Sequence, residues 1–415
     1  MSAARLVLYT GKGGVGKTTT AAATAVCAAR RGLRTLVASA DAAHSLGDVL
    51  ERGLGAEPRR LAWPGSPGEC AEAVSGAGDF ALDAIEIDAR AEMARHWGRI
   101  RDYLVSLFRY QGIEEVVAEE LALLPGAEEL TSLLAVEEHV TSGAYDLVVV
   151  DCAPTDTTLR LVTLPEVAHG ALRWLLRLQQ GLTSVVTPLA RGVVPIPLPD
   201  AGVFRDAETL LYKKLRRLHR RVTDAGTSVR MVVTPERMVI DEARRAYTDL
   251  CLFDVPADAV VMNRLLPPEA AREPFFRDWV DIQAGRREEV ARAFEPLRVL
   301  DAPLREDEVT GLESLARHGD ELFHDCDPDA VLADAPRLRF ERRAGGYLAH
   351  WPVPGPRPET LDVAKVEDEL VVRVRDRRRA FVLPRRMAPL HLEGATWKAG
   401  ELVISFAARP EGAAT

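Results

Sequence analysis

Short apolar runs alternate with longer stretches of helical length through the first three quarters of the chain. The runs are rich in Val, Leu and Ile, and several are followed by helix-forming residues. Because parallel strands are joined by helices that cover the sheet, this rhythm predicts an α/β fold with a mainly parallel sheet covered by helices. The predicted strands are Leu6–Thr10, Thr35–Ser39, Ala84–Ile87, Leu147–Asp151, Arg230–Thr234, Val260–Asn263 and Arg298–Leu300.

Two segments interrupt this rhythm. Residues 53–78 are rich in Gly and Pro, which predicts a loop. Residues 167–210 combine a stretch of Leu and Trp with a later Val/Pro run. One interpretation of this second segment is a buried core helix followed by an irregular connection. The other is a helical insert whose exposed surface binds a client or a membrane.

A helix start is predicted directly after the fifth of these strands. Thr234 is a capping residue, Pro235 suits the first helical position and Glu236 would place an acid in the first turn. We expect the helix to run to about Leu252.

The pattern changes after about Cys326. Residues 326–346 have the composition of a linker, and residues 347–410 contain short alternating segments separated by turn residues. We therefore predict a first domain over residues 1–325 and a small C-terminal antiparallel β-sandwich. Its predicted strands are Thr360–Val366, Leu370–Val374, Ala380–Leu383, Leu390–Glu393 and Leu402–Phe406.

Charge and composition exclude several classes of protein. The 415 residues carry a formal net charge of -9, which argues against general binding to nucleic acid. No run of apolar residues is long enough to span a bilayer, and the first strand begins too early for a signal peptide. Five scattered cysteines without a CxxC pair indicate neither a disulfide framework nor a zinc or metalloid site. We expect a cytoplasmic protein without an integral membrane segment.

The most specific motif lies between the first strand and an alanine-rich helix. It fits the pattern G-x-x-x-x-G-K-[ST], in which backbone N–H groups and the helix N-terminus hold phosphates. Lys17 should reach the β- and γ-phosphates, and the Thr18 hydroxyl should hold Mg²⁺. The alternative is a glycine turn that only opens a helix. The motif predicts a P-loop NTPase that binds ATP through Gly11, Lys12, Gly13, Gly14, Val15, Gly16, Lys17, Thr18 and Thr19.

Three more polar residues follow predicted strands, where ligands bind in open α/β folds. Asp41 lies two residues beyond the second strand, and Asp151 directly follows the apolar run Leu147–Val150, as a Walker B acid should. Asp151 is the second predicted Mg²⁺ residue. Asn263 could offer both a donor and an acceptor to an adenine edge.

These motifs resemble the arsenite-pump and tail-anchored-protein-targeting ATPase family. Lys12, a second lysine inside the loop, matches the deviant P-loop of this group and of its partition, septum-positioning and nitrogenase-reductase relatives. Residues 39–46 are similar to switch I, with Ala42 where proline is usual. Residues 151–161 are similar to switch II, with departures at Cys152, Asp156 and Thr157. The tail resembles the α-crystallin-like, small heat-shock sandwich attached to some bacterial relatives.

The resemblance implies roles for several of these residues. Lys12 would reach the nucleotide of a facing subunit, so that catalysis would require a homodimer. Asp41 would orient the attacking water, although it is also explained as a helix cap. Asn263 would contact the base. Glu236 falls at a position that approaches nucleotide, but the helix dipole explains a first-turn glutamate equally well.

The expected function is therefore a Mg²⁺-dependent, ATP-hydrolysing dimeric switch that binds or delivers a hydrophobic polypeptide client. Two alternatives keep the ATPase chemistry. One is the energising subunit of a membrane anion (metalloid) pump, which the missing cysteine cluster disfavours. The other is a positioning ATPase, which would favour a basic surface or a terminal amphipathic anchor.

Overall fold

The computed structural model of the chain describes residues 3–41, 45–64, 80–110, 114–115, 127–152, 209, 213–355 and 360–408. The predicted helical insert at 167–210 lies outside the described residues except for residue 209. The switch residues Ala42, Asp156 and Thr157 also lie outside them.

An eight-stranded sheet forms the first part of the chain, and seven of its strands are parallel. The strands are β1 (Arg5–Thr10), β2 (Thr35–Ser39), β3 (Arg59–Leu61), β4 (Leu82–Glu86), β5 (Leu147–Asp151), β6 (Thr227–Val233), β7 (Ala257–Leu265) and β8 (Arg298–Pro303). Their order is β3-β4-β2-β5-β1-β6-β7-β8. Strands β2 and β5–β7 are buried for most of their length, because helices cover both faces of the sheet. The predicted parallel α/β sheet is confirmed.

Helices connect these strands. They are α1 (Lys17–Arg30), α2 (Leu46–Leu50), α3 (Ala89–Tyr110), α4 (Ala127–Thr141), α5 (Leu215–Val222), α6 (Arg237–Leu252), α7 (Pro274–Ala293) and α8 (Gly311–Leu322), with a 3₁₀ helix at Pro268–Arg272. The alanine-rich α1 is buried along most of its length between the sheet and α8. No helix in the described parts of the chain is long and apolar enough to cross a membrane.

Two local predictions differ from the structure. The segment predicted as a loop at 53–78 contains β3, a short antiparallel edge strand. The predicted helix start at Thr234 is wrong by two to three residues, since α6 begins at Arg237 and Glu236 is its N-cap in an extended conformation. The Thr234 hydroxyl donates to the Glu236 carboxylate instead of capping the helix backbone. The predicted helix end at Leu252 is correct.

The C-terminal part forms two antiparallel sheets, as predicted. One has the order β14-β15-β10-β9 and the other β11-β12-β13. Their strands are β9 (Arg339–Arg343), β10 (Gly346–Pro352), β11 (Leu361–Val366), β12 (Glu369–Val374), β13 (Arg377–Val382), β14 (His391–Lys398) and β15 (Glu401–Ala407). β9 lies inside residues 326–346, so the linker predicted there is wrong at its C-terminal end. This strand pairs with β10 although its own side chains are mostly exposed.

The β-sandwich packs against the C-terminal end of α6. Arg379 from β13 is buried, and its guanidinium donates to the Leu252 carbonyl and, at 3.1 Å, to the Asp254 carboxylate. The same group lies 5.8 Å from the ring centre of Phe253 and 5.3 Å from that of Trp351. One arginine thus connects the two parts through hydrogen bonds and aromatic contacts.

Candidate functional site

The P-loop joins β1 to α1 at the carboxyl edge of the sheet. Two of its glycines are required by close contacts. A Cβ at Gly11 would lie 2.4 Å from the Val232 carbonyl oxygen, and a Cβ at Gly16 would lie 2.2 Å from the Asn263 amide nitrogen. Gly16 also has φ of 95°, a conformation that other residues adopt with strain. The loop can therefore pass this close to β6 and β7 only because positions 11 and 16 are glycine.

Lys17 is the first residue of α1 and is 6% exposed. Its ammonium lies 3.3 Å from the carbonyl oxygen of Lys12, to which it donates, so the side chain folds back over the loop. A cation at a helix N-terminus is suited to binding phosphate. The phosphate contacts of Lys17 stay a prediction.

Asp151 ends β5 and pairs with Tyr9 of β1, which brings its carboxylate beside the P-loop. The Thr18 hydroxyl donates to one carboxylate oxygen at 2.6 Å. The other oxygen, Oδ1, is buried without a hydrogen-bond partner, and the residue is fully buried. The sequence separates these two residues widely, but the sheet register brings them together.

The environment of Asp151 disfavours its charge. The pKa of Asp151 is raised from the usual value near 3.8 to about 6, mainly by burial and to a smaller extent by the nearby Asp41 carboxylate. The hydrogen bond from Thr18 and the charge of Lys17 lower this pKa and so offset part of the effect. In the protein alone, Lys17 and Thr18 thus do not fully compensate for the cost of burying the ionised Asp151 carboxylate.

The residues present fit a Mg²⁺ ion. A hard divalent cation takes carboxylate and hydroxyl oxygens, which Asp151 and Thr18 supply side by side. The unpaired buried oxygen of Asp151 is the observation that supports this assignment, since buried oxygens are normally bonded. Thr18 and Asp151 would hold the ion, directly or through water.

Asp41 lies near this pair. It follows β2, whose Ser39 pairs with Asp151 in the sheet, and its charge acts on Asp151. Ser45 was not singled out from the sequence, yet its hydroxyl lies 3.1 Å from that of Thr18. Its position in the segment resembling switch I was the only signal that could have identified it.

The side chains of Lys12 and Lys17 point in different directions. The Lys12 ammonium lies 3.9 Å from the Glu242 carboxylate of α6, and the side chain is 42% exposed. No sequence pattern indicated this partner. The second lysine of the loop is therefore accessible at the surface beside α6, while Lys17 covers the loop.

A cleft of about 630 Å³ extends from the P-loop towards β8 and α8. Asn263 lines this cleft. Its amide nitrogen donates to the carbonyl of Val15 in the P-loop at 2.9 Å, which holds the loop against β7. Its amide oxygen accepts from the Arg264 N–H. The predicted contact of Asn263 with a base remains a prediction. Glu236 does not line this cleft, and its nucleotide contact also stays a prediction.

His318 of α8 lines the same cleft and was missed by the sequence reasoning. It is 3% exposed, and neither ring nitrogen has a hydrogen-bond partner. Burial, with a smaller effect from Arg305, lowers the pKa of His318 to about 4, so the ring is neutral at pH 7. Nothing in its local sequence distinguishes it from an ordinary helical histidine.

Replacing Gly16 by alanine is expected to weaken ATP binding roughly 10- to 100-fold, because the new Cβ strains the backbone and displaces the Asn263 amide. Titration with a fluorescent ATP analogue would measure this loss. Gly13→Ala is the matched control, since a Cβ there meets no atom within 4 Å, and its loss should be smaller. Equal affinities in the two variants would contradict the role given to Gly16.

Comparison with known proteins identifies two regions of the chain. Residues 4–324 match the family described as anion-transporting ATPase (ArsA ATPase), and residues 344–406 match the HSP20-like domain found in ArsA. The two matches correspond to the part that carries the P-loop and to the β-sandwich.

Similar proteins occur in several organisms. A putative arsenical pump-driving ATPase 1 of Aquifex aeolicus is 34% identical over 96% of this chain and 99% of its own length. A putative arsenical pump-driving ATPase of Chlorobaculum tepidum is 31% identical over 98% and 97%. ATPase get3 of Aspergillus terreus is 28% identical over 77% of this chain and 91% of its own length. With a family match over residues 4–324 and a relative 34% identical along almost the whole chain, this chain belongs to the ArsA family of ATPases.

Proposed function

We propose that this ATPase is a Mg²⁺-dependent dimeric switch that couples ATP hydrolysis to the binding or delivery of a hydrophobic polypeptide client. The observation that carries the proposal is the contact between Thr18 and Asp151 beside the P-loop, with one buried carboxylate oxygen left unpaired. The proposed partner is a second copy of the same chain.

Each residue of the site has a separate proposed task. Lys17 and the loop N–H groups bind the β- and γ-phosphates. Asp41 orients the attacking water at the phosphate end of the site. Bound Mg²⁺ supplies positive charge that offsets the charge of the phosphates. Lys12 adds a cation to the nucleotide of the facing subunit, as an arginine finger does elsewhere.

The position of Lys12 supports its role between subunits. Its ammonium lies on the α6 side of the loop, while Lys17 already covers the loop of its own chain. A surface lysine at this edge is accessible to a partner that approaches the nucleotide. The homodimer follows from this requirement, since each subunit would complete the other's site.

Polypeptide binding is supported by the family resemblance. The tail-anchored-protein-targeting branch shares the P-loop and the switch segments, and the C-terminal part of this chain matches an HSP20-like domain. The predicted helical insert at 167–210 remains the proposed client-binding segment. Delivery would follow a change between two arrangements of the dimer driven by ATP hydrolysis.

Mixing two inactive variants tests the central part of this proposal. Lys12→Ala and Asp41→Asn should each bind ATP but hydrolyse it at least about 100-fold more slowly than the unchanged protein. When they are mixed and allowed to exchange subunits, a heterodimer contains one site with both an intact Asp41 and the partner's intact lysine. About half of the dimers are then mixed, each with one working site, so about a quarter of the normal rate should return.

The controls are each variant alone at the same total concentration and a mixture of Lys12→Ala with Lys17→Ala. This second mixture also forms one intact site if Lys12 acts between subunits and Lys17 within its own chain. If no mixture recovers activity although energy transfer between differently labelled subunits shows that they have exchanged, the role of Lys12 across the interface is wrong.

The relatives named arsenical pump-driving ATPases favour a second candidate, the energising subunit of an anion pump. The described cysteines do not form a shared site, and Cys27, Cys152 and Cys251 are buried. The two candidates differ in what stimulates hydrolysis. A hydrophobic transmembrane peptide should raise the ATPase rate of a client-binding switch, whereas arsenite or antimonite should raise that of a pump subunit.

A further inference from the structure

Helix α5 and the two lysines before it carry a dense positive charge. Residues 213–221 contain six Lys and Arg and no Asp or Glu, in a chain whose formal net charge is -9. Four of the six are exposed, and Lys214 and Arg221 are half-buried. We call them together the α5 basic face: Lys213, Lys214, Arg216, Arg217, Arg220 and Arg221.

The apolar side of α5 lies in the core. Leu215, Leu218 and Val222 are three and four residues apart, so they share one side of the helix, and they are 2, 6 and 7% exposed. The helix packs against α4 and β6, and the Arg221 carbonyl accepts from the Thr227 hydroxyl at 2.7 Å. This packing fixes the orientation of α5 and turns its basic side outward.

Acidic residues of α4 compensate only part of the charge. The Lys214 ammonium lies 3.3 Å from the Glu138 carboxylate. Arg217 lies 3.8 Å from the carboxylate of Glu137. Arg95 of α3 also reaches Glu138, at 3.3 Å, and so adds another cation at the same place. The basic residues remain in excess, and such a surface attracts an extended array of negative charge.

We infer that the α5 basic face binds the surface of a bilayer that contains anionic phospholipid. Clusters of about four to eight Lys and Arg on a helix are attracted to anionic headgroups. No large hydrophobic side chain among residues 213–222 is exposed, so α5 has none to insert between the acyl chains. The contact is therefore electrostatic, lies at the headgroups and is reversed by salt.

A protein or a nucleic acid fits this face less well. A protein interface centres on aromatic and apolar anchors, and single-stranded nucleic acid stacks on aromatic rings. Residues 213–222 contain no Phe, Tyr or Trp. The net charge of -9 also opposes a long phosphate backbone that extends beyond α5. Lipid headgroups need no such anchor, because they move within the bilayer to meet the cations.

The position of this face along the chain gives the contact a use. Residues 167–210, the proposed client-binding segment, end three positions before Lys213. Binding of the α5 basic face to a bilayer would bring that segment towards the surface that a hydrophobic client enters. This last link rests on the proposed function, whereas the membrane contact itself rests on the charge and packing of α5.

The test is flotation of the full-length protein with vesicles of phosphatidylcholine, with and without phosphatidylglycerol. The unchanged protein should bind only the anionic vesicles, and added NaCl should release it. The double variant Arg216→Gln, Arg220→Gln should partition about 30-fold more weakly, because two exposed cations are lost from the face. Arg220→Gln alone should show a smaller loss, of about 5-fold.

The matched control is Arg373→Gln, Arg378→Gln. It removes the same charge from two exposed arginines that lie opposite each other on β12 and β13, and it should bind like the unchanged protein. Unchanged ATP hydrolysis by the α5 variants verifies that they are folded. Equal binding by the two double variants would overturn the inference. Equal binding of the unchanged protein to neutral and anionic vesicles would also overturn it, and so would its displacement from them by polyglutamate or duplex DNA at equal negative charge.

The proposed function is tested separately, by stimulation of ATP hydrolysis with a hydrophobic transmembrane peptide in the absence of vesicles. Stimulation by the peptide beside equal vesicle binding of the two double variants would reject only the membrane contact. Vesicle binding that depends on α5 without stimulation by the peptide would reject only the client-binding function.

Discussion

Replacing Asp151 by asparagine is expected to reduce Mg²⁺-dependent ATP hydrolysis by about 10³-fold or more and, at the same time, to make the nucleotide-free protein more stable. The loss follows because the variant has no carboxylate to hold the ion beside Thr18. The gain follows because the carboxylate is buried with one oxygen unpaired, whereas a neutral amide avoids the desolvation of a charge.

The size of the stability change can be bounded from the pKa. Burial raises the pKa of Asp151 to about 6 from a usual value near 3.8. Below about pH 4 the group is protonated in both the folded and the unfolded chain, so it contributes no difference. As the pH rises from about 4 through 6 the folded state loses stability, by roughly 3 kcal/mol at most. The Asp151→Asn variant has no group to titrate at this position, so it would not show this pH-dependent loss.

Two measurements check this prediction. Urea unfolding at pH 4.5 and pH 7.5, without nucleotide or metal, should show that the variant gains more relative to the unchanged protein at pH 7.5. Steady-state hydrolysis with Mg²⁺ gives the loss of activity. Asp146→Asn is a suitable control, because Asp146 lies in the same segment but forms an exposed ion pair with Arg34 and has a lowered pKa. A variant of Asp151 that is both inactive and less stable at pH 7.5 would contradict this account.

Arg379→Ala is expected to destabilise the attachment of the β-sandwich by about 2–4 kcal/mol while leaving ATP hydrolysis nearly normal. The change leaves the Leu252 carbonyl without this donor, leaves the Asp254 carboxylate with only the Leu338 N–H, and removes a cation from beside Phe253 and Trp351. These groups lie at the end of α6 remote from the P-loop.

Thermal unfolding and limited proteolysis would show this effect. The Arg379 variant should unfold in two steps, with the sandwich first, and should be cleaved faster between residues 322 and 339. Arg378→Ala is the control, because Arg378 is the exposed neighbour on the same strand. Identical melting curves for the two variants would show that the buried arginine does not hold the sandwich in place.

The parallel sheet and the position of the P-loop were predictable because they depend on local pattern. An apolar strand, a glycine-rich turn and an alanine-rich helix follow one another between residues 5 and 30, and each needs only its own residues to be recognised. Asp151 was predictable for the same reason, since it directly follows four buried apolar residues at the end of a strand. The strand order and register then place it beside Thr18.

The contacts that depend on distant parts of the chain were not predictable. Asn263 was identified as a polar residue at a strand end, but its bond to Val15 spans 248 positions and appears only in the fold. The contact of Lys12 with Glu242 is of the same kind. β9 was missed for a different reason: it presents four exposed side chains and a single half-buried Phe340, so it lacks the alternation by which strands are recognised.

Helix α6 has 16 residues and a length of about 24 Å. It runs from the carboxyl ends of the parallel strands back to their amino ends. Its first turns lie next to Lys12, and its last residues hold the β-sandwich. Helix α6 therefore acts as a lever between the two parts of the chain: any tilt at its Lys12 end would displace the β-sandwich at its other end.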